Sequence, residues 1–344
     1  MTAPTWPDVL TTVVGRSDLS VEQTRWAMGQ ILAGEATPAQ VAGFAVALRS
    51  KGETVDEVVG LVEAMFEKAA PLSIPGRSLD IVGTGGDRSF SVNISSMSAI
   101  VAAGAGAQVV KHGGRSASSK SGSADVLEAL GVRLDLDPAG VERVLAAAGI
   151  TFCFAPTFHS ALRHAAVPRK ELGIATFFNL LGPLANPARP AAQAIGCADE
   201  RLAPVLAGVF AKRGVDALVF RGDDGLDELT TTTTSTIWAV HGGQVERSTL
   251  DPRDFGLPLA TAEDLRGGDT QHNADVVRRL LDGEQGPVRD AVVLNTGAAL
   301  AVFDGDLDDL PASLASGIER ARTAIDSGAA KATLEKWVAA CAAG

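Results

Sequence analysis

The sequence predicts an α/β protein in which a small N-terminal helical domain precedes a large α/β domain with a mostly parallel central sheet. Three observations support this fold class. Helix-capping patterns dominate residues 20–70. A segment rich in Pro, Gly and Ser follows at 71–78. Short apolar segments then alternate with helical stretches, the pattern expected of parallel strands joined by helices.

The N-terminal segment is predicted to be a cluster of short helices. Ser20 and Gln23 have the spacing of a capping box, and so do Thr54 and Glu57. In that motif each residue of the pair satisfies a backbone N–H of the other at the start of a helix. Pro38 suits the first turn of a further helix, where an N–H group has no helical partner.

The domain junction is predicted within 71–78, which gives a helical domain of residues 1–72 and an α/β domain of residues 73–344. The predicted strands of the second domain are Leu79–Val82, Gln108–Val110, Thr151–Ala155, Gln193–Gly196 and Asp216–Phe220, with a β-rich stretch at Thr230–Val240. The helices predicted near the end are Ala274–Leu281, Arg289–Phe303 and Ala312–Ser327.

Composition and charge exclude several classes of protein. The formal net charge of −11 opposes loose adhesion to nucleic acid or anionic membrane, which depends on an excess of Lys and Arg. Three cysteines, far apart and without a CxxC pair, predict reduced buried thiols and neither a disulfide framework nor a zinc site. No signal peptide or membrane span is apparent, so we expect a cytoplasmic protein.

The first candidate ligand loop follows the first predicted strand and reads Asp80-Ile81-Val82-Gly83-Thr84-Gly85-Gly86-Asp87. Glycines let backbone N–H groups approach an anion, and the helix predicted at Met97–Ala105 directs its positive end toward the loop. The spacing fits neither a Walker A loop nor a GxGxxG fingerprint. A purely structural turn, with Asn93 as a plain helix cap, is the alternative. The polar residues that favour a phosphate cradle are Ser91, Asn93, Ser95 and Ser96.

The second candidate is the segment 111–123, predicted to be a loop between a strand ending at Val110 and a helix beginning near Ala124. It places three cations, Lys111, Arg115 and Lys120, among glycines and serines in an otherwise acidic protein. A generic polar loop is the alternative. The concentration of one sign of charge favours a pocket for a multiply charged anion.

The third candidate is the acidic loop 222–230, which follows an apolar strand at a position where α/β proteins commonly bind ligands. Adjacent carboxylates attract magnesium, which keeps several waters and bridges to substrate phosphates. An acidic surface turn is the common alternative. Beside two anion-binding loops, however, the carboxylates predict a metal held between the protein and a substrate with more than one phosphate.

Taken in chain order, the runs GTGGD, KHGGRSASSKSGSADVLEALG, FFNLLGPLANP and GDDGLDELT resemble the anthranilate phosphoribosyltransferase family over essentially the whole chain. The resemblance implies transfer of a phosphoribosyl group from phosphoribosyl pyrophosphate (PRPP) to the amine of anthranilate, with Mg²⁺, in tryptophan biosynthesis. It also implies that central helices around 170–190 join the helical domain, that the α/β domain is related to nucleoside phosphorylases, and that a homodimer forms through the helical domain.

The resemblance assigns roles to individual residues. The residues implied to surround PRPP are Gly83, Gly86, Asp87, Ser91, Asn93, Ile94, Ser95, Ser96, Lys111, His112, Gly113, Gly114, Arg115, Ser116, Ala117, Ser118, Ser119 and Ser123. The residues implied to hold Mg²⁺ are Ser95, Asp227 and Glu228. The residues implied to face anthranilate are Gly83, Gly114 and Arg169. The implied catalytic residues are Lys111, Asp227 and Glu228.

For the acceptor site, one residue has a role that can be argued from its own chemistry, and one residue differs from the family's usual sequence. Arg169 can form paired charge-assisted hydrogen bonds to a carboxylate, although it can also be read as an exposed helix cation beside Glu171. His159 and His164 are expected to shape the acceptor tunnel or cap local backbone, because no nucleophile or metal motif accompanies them. Gly114 stands where the family usually has Asn, which keeps a different aromatic amine acceptor open.

The expected mechanism is electrostatic. Mg²⁺ and Lys111 would hold the pyrophosphate while its bond to ribose C1 breaks, and a neutral aromatic amine can attack C1 directly, with inversion and without a general base. A non-catalytic nucleic-acid-binding relative of the same fold is disfavoured by the acidic charge and by the pair Asp227 and Glu228. A pyrimidine nucleoside phosphorylase is disfavoured because inorganic phosphate requires no such metal site.

Overall fold

The computed structural model describes residues 3–115 and 121–343. Its N-terminal part contains the helices α1 Trp6–Val14, α2 Val21–Ala33, α3 Pro38–Lys51 and α4 Val55–Lys68. Both predicted capping boxes are confirmed, at Ser20 and at Thr54. A third begins α3 at Thr37, where Pro38 occupies the first turn as predicted. Helix α1 lies before the stretch for which helices were predicted.

The strands of the described residues form one seven-stranded sheet in the order β3-β2-β1-β4-β5-β6-β7. The strands are β1 Leu79–Gly83, β2 Val109–Gly113, β3 Ile150–Phe154, β4 Ala192–Gly196, β5 Asp216–Gly222, β6 Ser235–His241 and β7 Gln244–Leu250. The first five are mutually parallel, which confirms the predicted mostly parallel sheet. The hairpin β6–β7 adds two antiparallel strands at one edge.

Helices cover both faces of the sheet. They are α5 Ile94–Gly104, α6 Ser123–Ala129, α7 Pro138–Ala148, α8 Ala155–Phe158, α9 Ala166–Leu172, α10 Phe178–Leu184, α11 Ala203–Arg213, α12 Thr270–Leu281, α13 Pro287–Asp304, α14 Leu310–Asp326 and α15 Ala329–Ala342. The three helices predicted near the end correspond to α12, α13 and α14. No helix within residues 3–115 or 121–343 combines the length and apolar character that a membrane crossing requires.

The apolar core lies in two layers, one on each face of the sheet. On one face Leu79, Ile81 and Leu218 pack with α5, α7 and α13. On the other face Ile195 and Val219 pack with α1–α4, α10 and α11 in a second continuous cluster. The alternation of neighbouring strand residues between the two clusters follows from the two-residue period of a strand. Because the parallel strands all end at one edge, the loops that follow β1, β2, β4 and β5 meet there.

Candidate active site

The acidic loop after β5 folds back over the ends of β1 and β4. Gly85 donates its backbone N–H to Asp227 Oδ2 at 2.6 Å. A Cβ on Gly83 would lie 2.1 Å from that same oxygen, and a Cβ on Gly196 would lie 1.6 Å from the Asp227 carbonyl oxygen. Non-bonded carbon and oxygen atoms do not approach so closely. Both strand ends therefore require glycine if Asp227 is to reach the glycine turn.

Glu228 lies at the N-terminus of α5, beside the end of β2. Its Oε1 accepts the backbone N–H of Ser95 at 3.2 Å, and the positive end of a helix favours a carboxylate at this position. Lys111 Nζ lies 3.3 Å from Ser95 Oγ and also donates to the Ile81 carbonyl oxygen. The structure thus brings together Ser95, Lys111 and Glu228 from three separate elements.

This cluster contains more carboxyl groups than basic groups. Burial and the neighbouring Asp87 carboxylate raise the pKa of Asp227 to about 7. Burial and the charge of Asp227 raise the pKa of Glu228 well above its ordinary value. Burial lowers the pKa of Lys111, while Asp80, Glu228 and Asp227 act in the opposite direction. Like charges that are buried side by side disfavour one another unless a cation joins them.

The donor chemistry fits Mg²⁺. The oxygen donors nearest one another are the carboxylates of Asp227 and Glu228, with the Asp87 carboxylate beside Asp227 and the Ser95 hydroxyl beside Lys111. A hard cation prefers such donors. Within the described residues no three His, Cys, Asp or Glu side chains form a complete metal-binding group. Mg²⁺ needs none, because it is commonly bound by one or two carboxylates together with waters and substrate phosphates.

The acidic loop contains two kinds of carboxylate. Asp224 Oδ2 accepts from the hydroxyls of Thr230 and Thr232 at 2.8 and 2.5 Å, and Asp223 accepts from two further threonine hydroxyls. These two side chains shape the turn, whereas Asp227 and Glu228 face β1 and α5. The bonds also explain why the prediction of a β-rich stretch from Thr230 is wrong for its first residues, since β6 begins only at Ser235.

The prediction of one basic loop over 111–123 is wrong for its first residues. Lys111, His112 and Gly113 belong to strand β2, and the Lys111 side chain is buried. Arg115 donates to Asp125 at 2.7 Å and to Glu128 at 2.6 Å, so two carboxylates already offset its charge. The expected PRPP residues Ser116, Ala117, Ser118 and Ser119, with Lys120, lie outside the described residues.

His112 and Asp80 lie beneath the site in the protein interior. Asp80 accepts from the His112 backbone N–H at 3.1 Å and from Asn186 Nδ2 at 2.8 Å, and burial raises its pKa to about 6. The ring Nδ1 of His112 lies 2.9 Å from the Gly182 carbonyl oxygen, which can only accept, so this nitrogen is the donor. Burial and the nearby His159 ring lower the pKa of His112 to about 3. The imidazole is therefore neutral and faces α10.

Asn93 is not a plain helix cap. Its side chain makes no cap hydrogen bond to α5. Instead Nδ2 donates to the Ser121 carbonyl oxygen at 3.2 Å, and Oδ1 accepts from Asn273 Nδ2 at 2.9 Å. Asn273 in turn accepts the Gly268 backbone N–H at 2.8 Å. This amide chain joins the start of α5 to the segment before α6 and to α12, and a cavity of about 260 Å³ opens beside it.

The loop between the glycine turn and α5 is held in a strained form. Arg88 and Phe90 have φ of 60° and 55°, a left-handed conformation that non-glycine residues adopt at an energetic cost and that is enriched at functional sites. The segment 265–268 holds this loop, because Gly267 donates to the Phe90 carbonyl oxygen and Val92 donates to that of Leu265. Sequence reasoning missed this segment, since nothing in its local pattern marks it.

Other residues expected around PRPP lie along the same edge. Ser91 forms an isolated bridge with Arg266, and Ser123 begins α6. Ser96 is buried, and its hydroxyl has no hydrogen-bond partner in the described part of the chain. Ile94, buried at the start of α5, contributes to the apolar core. A buried hydroxyl without a partner beside a helix N-terminus suits a ligand that supplies acceptor oxygens.

Of the expected acceptor residues, Gly83 lies against Asp227, whereas Gly114 follows β2 and Arg169 lies on α9. The Arg169 guanidinium packs over the Phe178 ring, 5.0 Å from its centre, and makes no hydrogen bond or ion pair with any described residue, Glu171 included. His159 Nε2 donates to the Ala185 carbonyl oxygen at 2.7 Å, in keeping with the expected backbone cap. Among the described residues, a Cβ on Gly114 would meet nothing closer than Ala155 Cβ at 4.0 Å, so this part of the structure leaves room for a side chain.

Comparison with known proteins agrees with this architecture. Residues 76–331 match the glycosyl transferase family, a/b domain, and residues 7–69 match the glycosyl transferase family, helical bundle domain. The chain is 68% identical over 338 residues to an anthranilate phosphoribosyltransferase of Nocardioides sp., covering 98% of this chain and 99% of that protein.

Two solved structures are similar over almost the full length. Anthranilate phosphoribosyltransferase from Thermus thermophilus superposes with a TM-score of 0.91 at 40% identity, covering 97% of this chain and 99% of that one. The Saccharomyces cerevisiae enzyme in complex with PRPP and Mg superposes with a TM-score of 0.90 at 26% identity, covering 98% of both chains. The same yeast enzyme has also been solved in complex with 4-fluoroanthranilate.

Proposed function

The chain belongs to the anthranilate phosphoribosyltransferase family of glycosyl transferases, and on that basis we propose that it transfers the phosphoribosyl group of PRPP to the amine of anthranilate. The observation that carries this proposal is the meeting of Ser95, Lys111, Asp227 and Glu228 at the ends of β1 and β2. An ammonium group, a helix N-terminus and paired carboxylates together suit a pyrophosphate bound with a divalent cation.

In the reaction, the bond between ribose C1 and the pyrophosphate oxygen breaks, and a bond from the anthranilate nitrogen to C1 forms. The amine loses one proton, and pyrophosphate leaves with the electron pair. Lys111 stabilises the charge that develops on the departing oxygens, because its ammonium group is buried and fixed before the reaction begins. The hydroxyls of Ser95 and Ser96 and the end of α5 orient the phosphates.

Ser95, Asp227 and Glu228 would hold Mg²⁺, with Asp87 beside them. The bound ion would supply positive charge to the pyrophosphate. A cation held there would also relieve the repulsion between the carboxylates of Asp227, which is half-buried, and Glu228, which is buried. The complex of the yeast relative with PRPP and Mg supports this use of the ion.

Arg169 would receive the carboxylate of anthranilate. It has no acidic partner among the described residues, and its guanidinium lies over the Phe178 ring, which leaves its N–H donors available for a planar ligand. A general base is not required, because an aromatic amine is uncharged near neutral pH. In agreement, the neighbouring imidazoles of His112 and His159 are buried and bonded to backbone carbonyl oxygens. The complex of the yeast relative with 4-fluoroanthranilate supports an acceptor of this chemistry.

The direct test supplies the purified protein with PRPP, Mg²⁺ and anthranilate, and follows both the loss of anthranilate fluorescence and the release of pyrophosphate. The two should proceed in a one-to-one ratio and should stop when Mg²⁺ is chelated. Turnover with another aromatic amine, but none with anthranilate, would overturn the acceptor and leave PRPP as the donor. Absence of pyrophosphate release with every acceptor would overturn the transferase function.

The metal site has a test with a matched control. Asp227→Asn with Glu228→Gln should lower Mg²⁺-dependent turnover at least about 100-fold, because the charges that bind the ion are removed at nearly constant shape. Asp223 lies in the same loop, and the bonds of its side chain to described residues are with threonine hydroxyls, so Asp223→Asn should keep activity close to wild type. Equal activity of the double variant and the control would remove the claim that these carboxylates bind metal.

Assembly and location belong to the same proposal. We infer a homodimer formed through a helical domain of residues 1–72 joined by helices around 170–190, whose side chains share one apolar core. Val14 and Val46, exposed on α1 and α3, are apolar side chains that such an interface would cover. Light scattering coupled to size-exclusion chromatography distinguishes a monomer from a dimer.

The free, buried cysteines suit a reducing cytoplasm, and the net charge of −11 argues against nucleic acid or membrane as a partner.

A further inference from the structure

A buried amide side chain holds the backbone of the acidic loop immediately after Glu228. Asn295, in the middle of α13, is fully buried. Its Oδ1 accepts the Leu229 backbone N–H at 2.9 Å, and its Nδ2 donates to the Leu229 carbonyl oxygen at 2.8 Å. The second N–H of the amide donates to the Ala291 carbonyl oxygen at 2.9 Å, within α13 itself. The side chain thus pairs with both polar groups of one loop residue, as a neighbouring strand would.

Leu229 is the point at which this loop is anchored. Its side chain is fully buried in the apolar cluster on the α13 face of the sheet. The next residue, Thr230, donates its backbone N–H to Ser235 Oγ at 3.0 Å. Asn295 therefore acts at the junction between the anchored part of the loop and the two acids that precede it. The direction in which Glu228 leaves the backbone depends on the orientation of the Leu229 peptide groups.

The carboxylates that precede Leu229 indicate that its contact with Asn295 has a function in addition to packing. Asp227 and Glu228 are adjacent in the chain, Asp227 half-buried and Glu228 buried. Two neighbouring carboxylates of like charge repel one another unless a cation or a proton neutralises them. Glycine at 83 and 196 allows the loop to approach β1 and β4 but does not hold it there. The pairing of Asn295 with Leu229 supplies a fixed attachment on the other side of the loop.

We propose that Asn295 is a positioning residue for the reaction, which keeps Asp227 and Glu228 in the arrangement that binds the divalent cation with pyrophosphate. The proposal rests on the function proposed above. It concerns a residue that touches neither substrate nor metal and that acts through the Leu229 backbone alone. A purely structural role would lower stability without changing how the folded protein depends on metal, and this difference makes the two roles separable.

The test compares Asn295→Ala and Asn295→Ser with Thr296→Val. Thr296 is the next residue of α13, equally buried, and its hydroxyl has no partner among the described residues, so it is a matched control. In the Asn295 variants the Mg²⁺ concentration for half-maximal turnover should rise about 10-fold or more, as is typical when a residue supporting metal ligands is lost. Turnover at saturating Mg²⁺ should recover substantially. The Thr296 variant should behave as wild type.

A second readout does not depend on turnover. Binding of Mn²⁺, in the presence of PRPP, is followed by electron paramagnetic resonance and should weaken by the same factor in the Asn295 variants. An unchanged metal affinity in a folded Asn295 variant would overturn the proposal. If wild type itself fails to turn over PRPP and anthranilate, the proposed function falls, while Mn²⁺ binding still decides the role of Asn295.

Hydrogen exchange on the wild-type protein covers the case in which neither Asn295 variant folds. The proposal predicts that the Leu229 amide is protected before any metal or PRPP is added, because its partner belongs to the fold. Protection that appears only when Mg²⁺ and PRPP are added would show that the ligands order the loop, and would overturn a positioning role for Asn295.

Discussion

Replacement of Gly83 by alanine perturbs the site by one methyl group at a known place. The added Cβ would lie 2.1 Å from Asp227 Oδ2, 2.8 Å from its Cγ and 3.0 Å from its carbonyl oxygen. An ordinary contact of about 3.5 Å would require the carboxylate to move by about 1.4 Å. Such a movement also separates Asp227 from the Gly85 backbone N–H that it accepts. Misplacement of a catalytic group by about 1 Å can lower the rate about 100-fold.

We therefore expect Gly83→Ala to lower kcat/KM for PRPP about 100-fold at a fixed Mg²⁺ concentration, measured by steady-state pyrophosphate release. The melting temperature should change little, because the two closest atoms, Oδ2 and Cγ, belong to a side chain that can rotate away, and the carbonyl oxygen at 3.0 Å needs only a small shift. Gly29→Ala, on α2, is the control, since a Cβ there meets no described atom outside its own helix within 4 Å. Activity should persist and stability should rise by about 0.5–1 kcal/mol. A folded Gly83→Ala protein with kcat/KM within twofold of wild type would refute the geometric argument.

Three further predictions concern the acceptor side and the buried histidine. Gly114→Asn should fold, because the nearest described atom to its Cβ is 4.0 Å away. It should lower KM for anthranilate and leave KM for PRPP unchanged; a change in the PRPP value alone would contradict the acceptor role. Arg169→Lys keeps the charge but loses the coplanar pair of N–H donors of the guanidinium, so KM for anthranilate should rise about 10-fold. An unchanged KM would show that Arg169 is not part of the acceptor site. Burial lowers the pKa of His112 to about 3 from an ordinary 6.5, so below pH 6.5 the unfolded chain takes up the proton first and stability falls with pH. Relative to His112→Gln, wild type should lose about 2 kcal/mol of unfolding free energy between pH 7.5 and pH 5, and a constant difference in urea titrations would contradict neutral burial.

The parallel strands could be predicted because each is a short apolar run with polar residues or glycine at its ends, and five such runs became β1 to β5. Strand β7 could not, because it is an exposed edge strand with polar residues on both faces and no apolar alternation. Helix α15 was missed for a related reason: Gly328 precedes it, so no side chain caps its start. A sequence pattern indicates an element through its buried face or its capping residue. Strand β7 lacks an apolar face, and helix α15 lacks a capping side chain.

The loops of the site could be predicted from position and composition, but their internal contacts could not. Lys111 belongs to a buried strand because its amine reaches the Ile81 carbonyl oxygen and Ser95, partners that local sequence does not reveal. Asn273 and Asn295 lie in ordinary helical stretches, far along the chain from the loops they hold. Their roles arise from pairings across long sequence separations, which depend on the fold as a whole.

A crystal structure of the protein with PRPP and Mg²⁺ bound would show directly whether these carboxylates hold the metal. We expect Mg²⁺ at about 2.1 Å from a carboxylate oxygen of Asp227 or Glu228, or joined to it through one water. The pyrophosphate should lie between the N-terminus of α5 and Lys111. Ordered PRPP with its pyrophosphate elsewhere, or a metal remote from both carboxylates, would contradict the account.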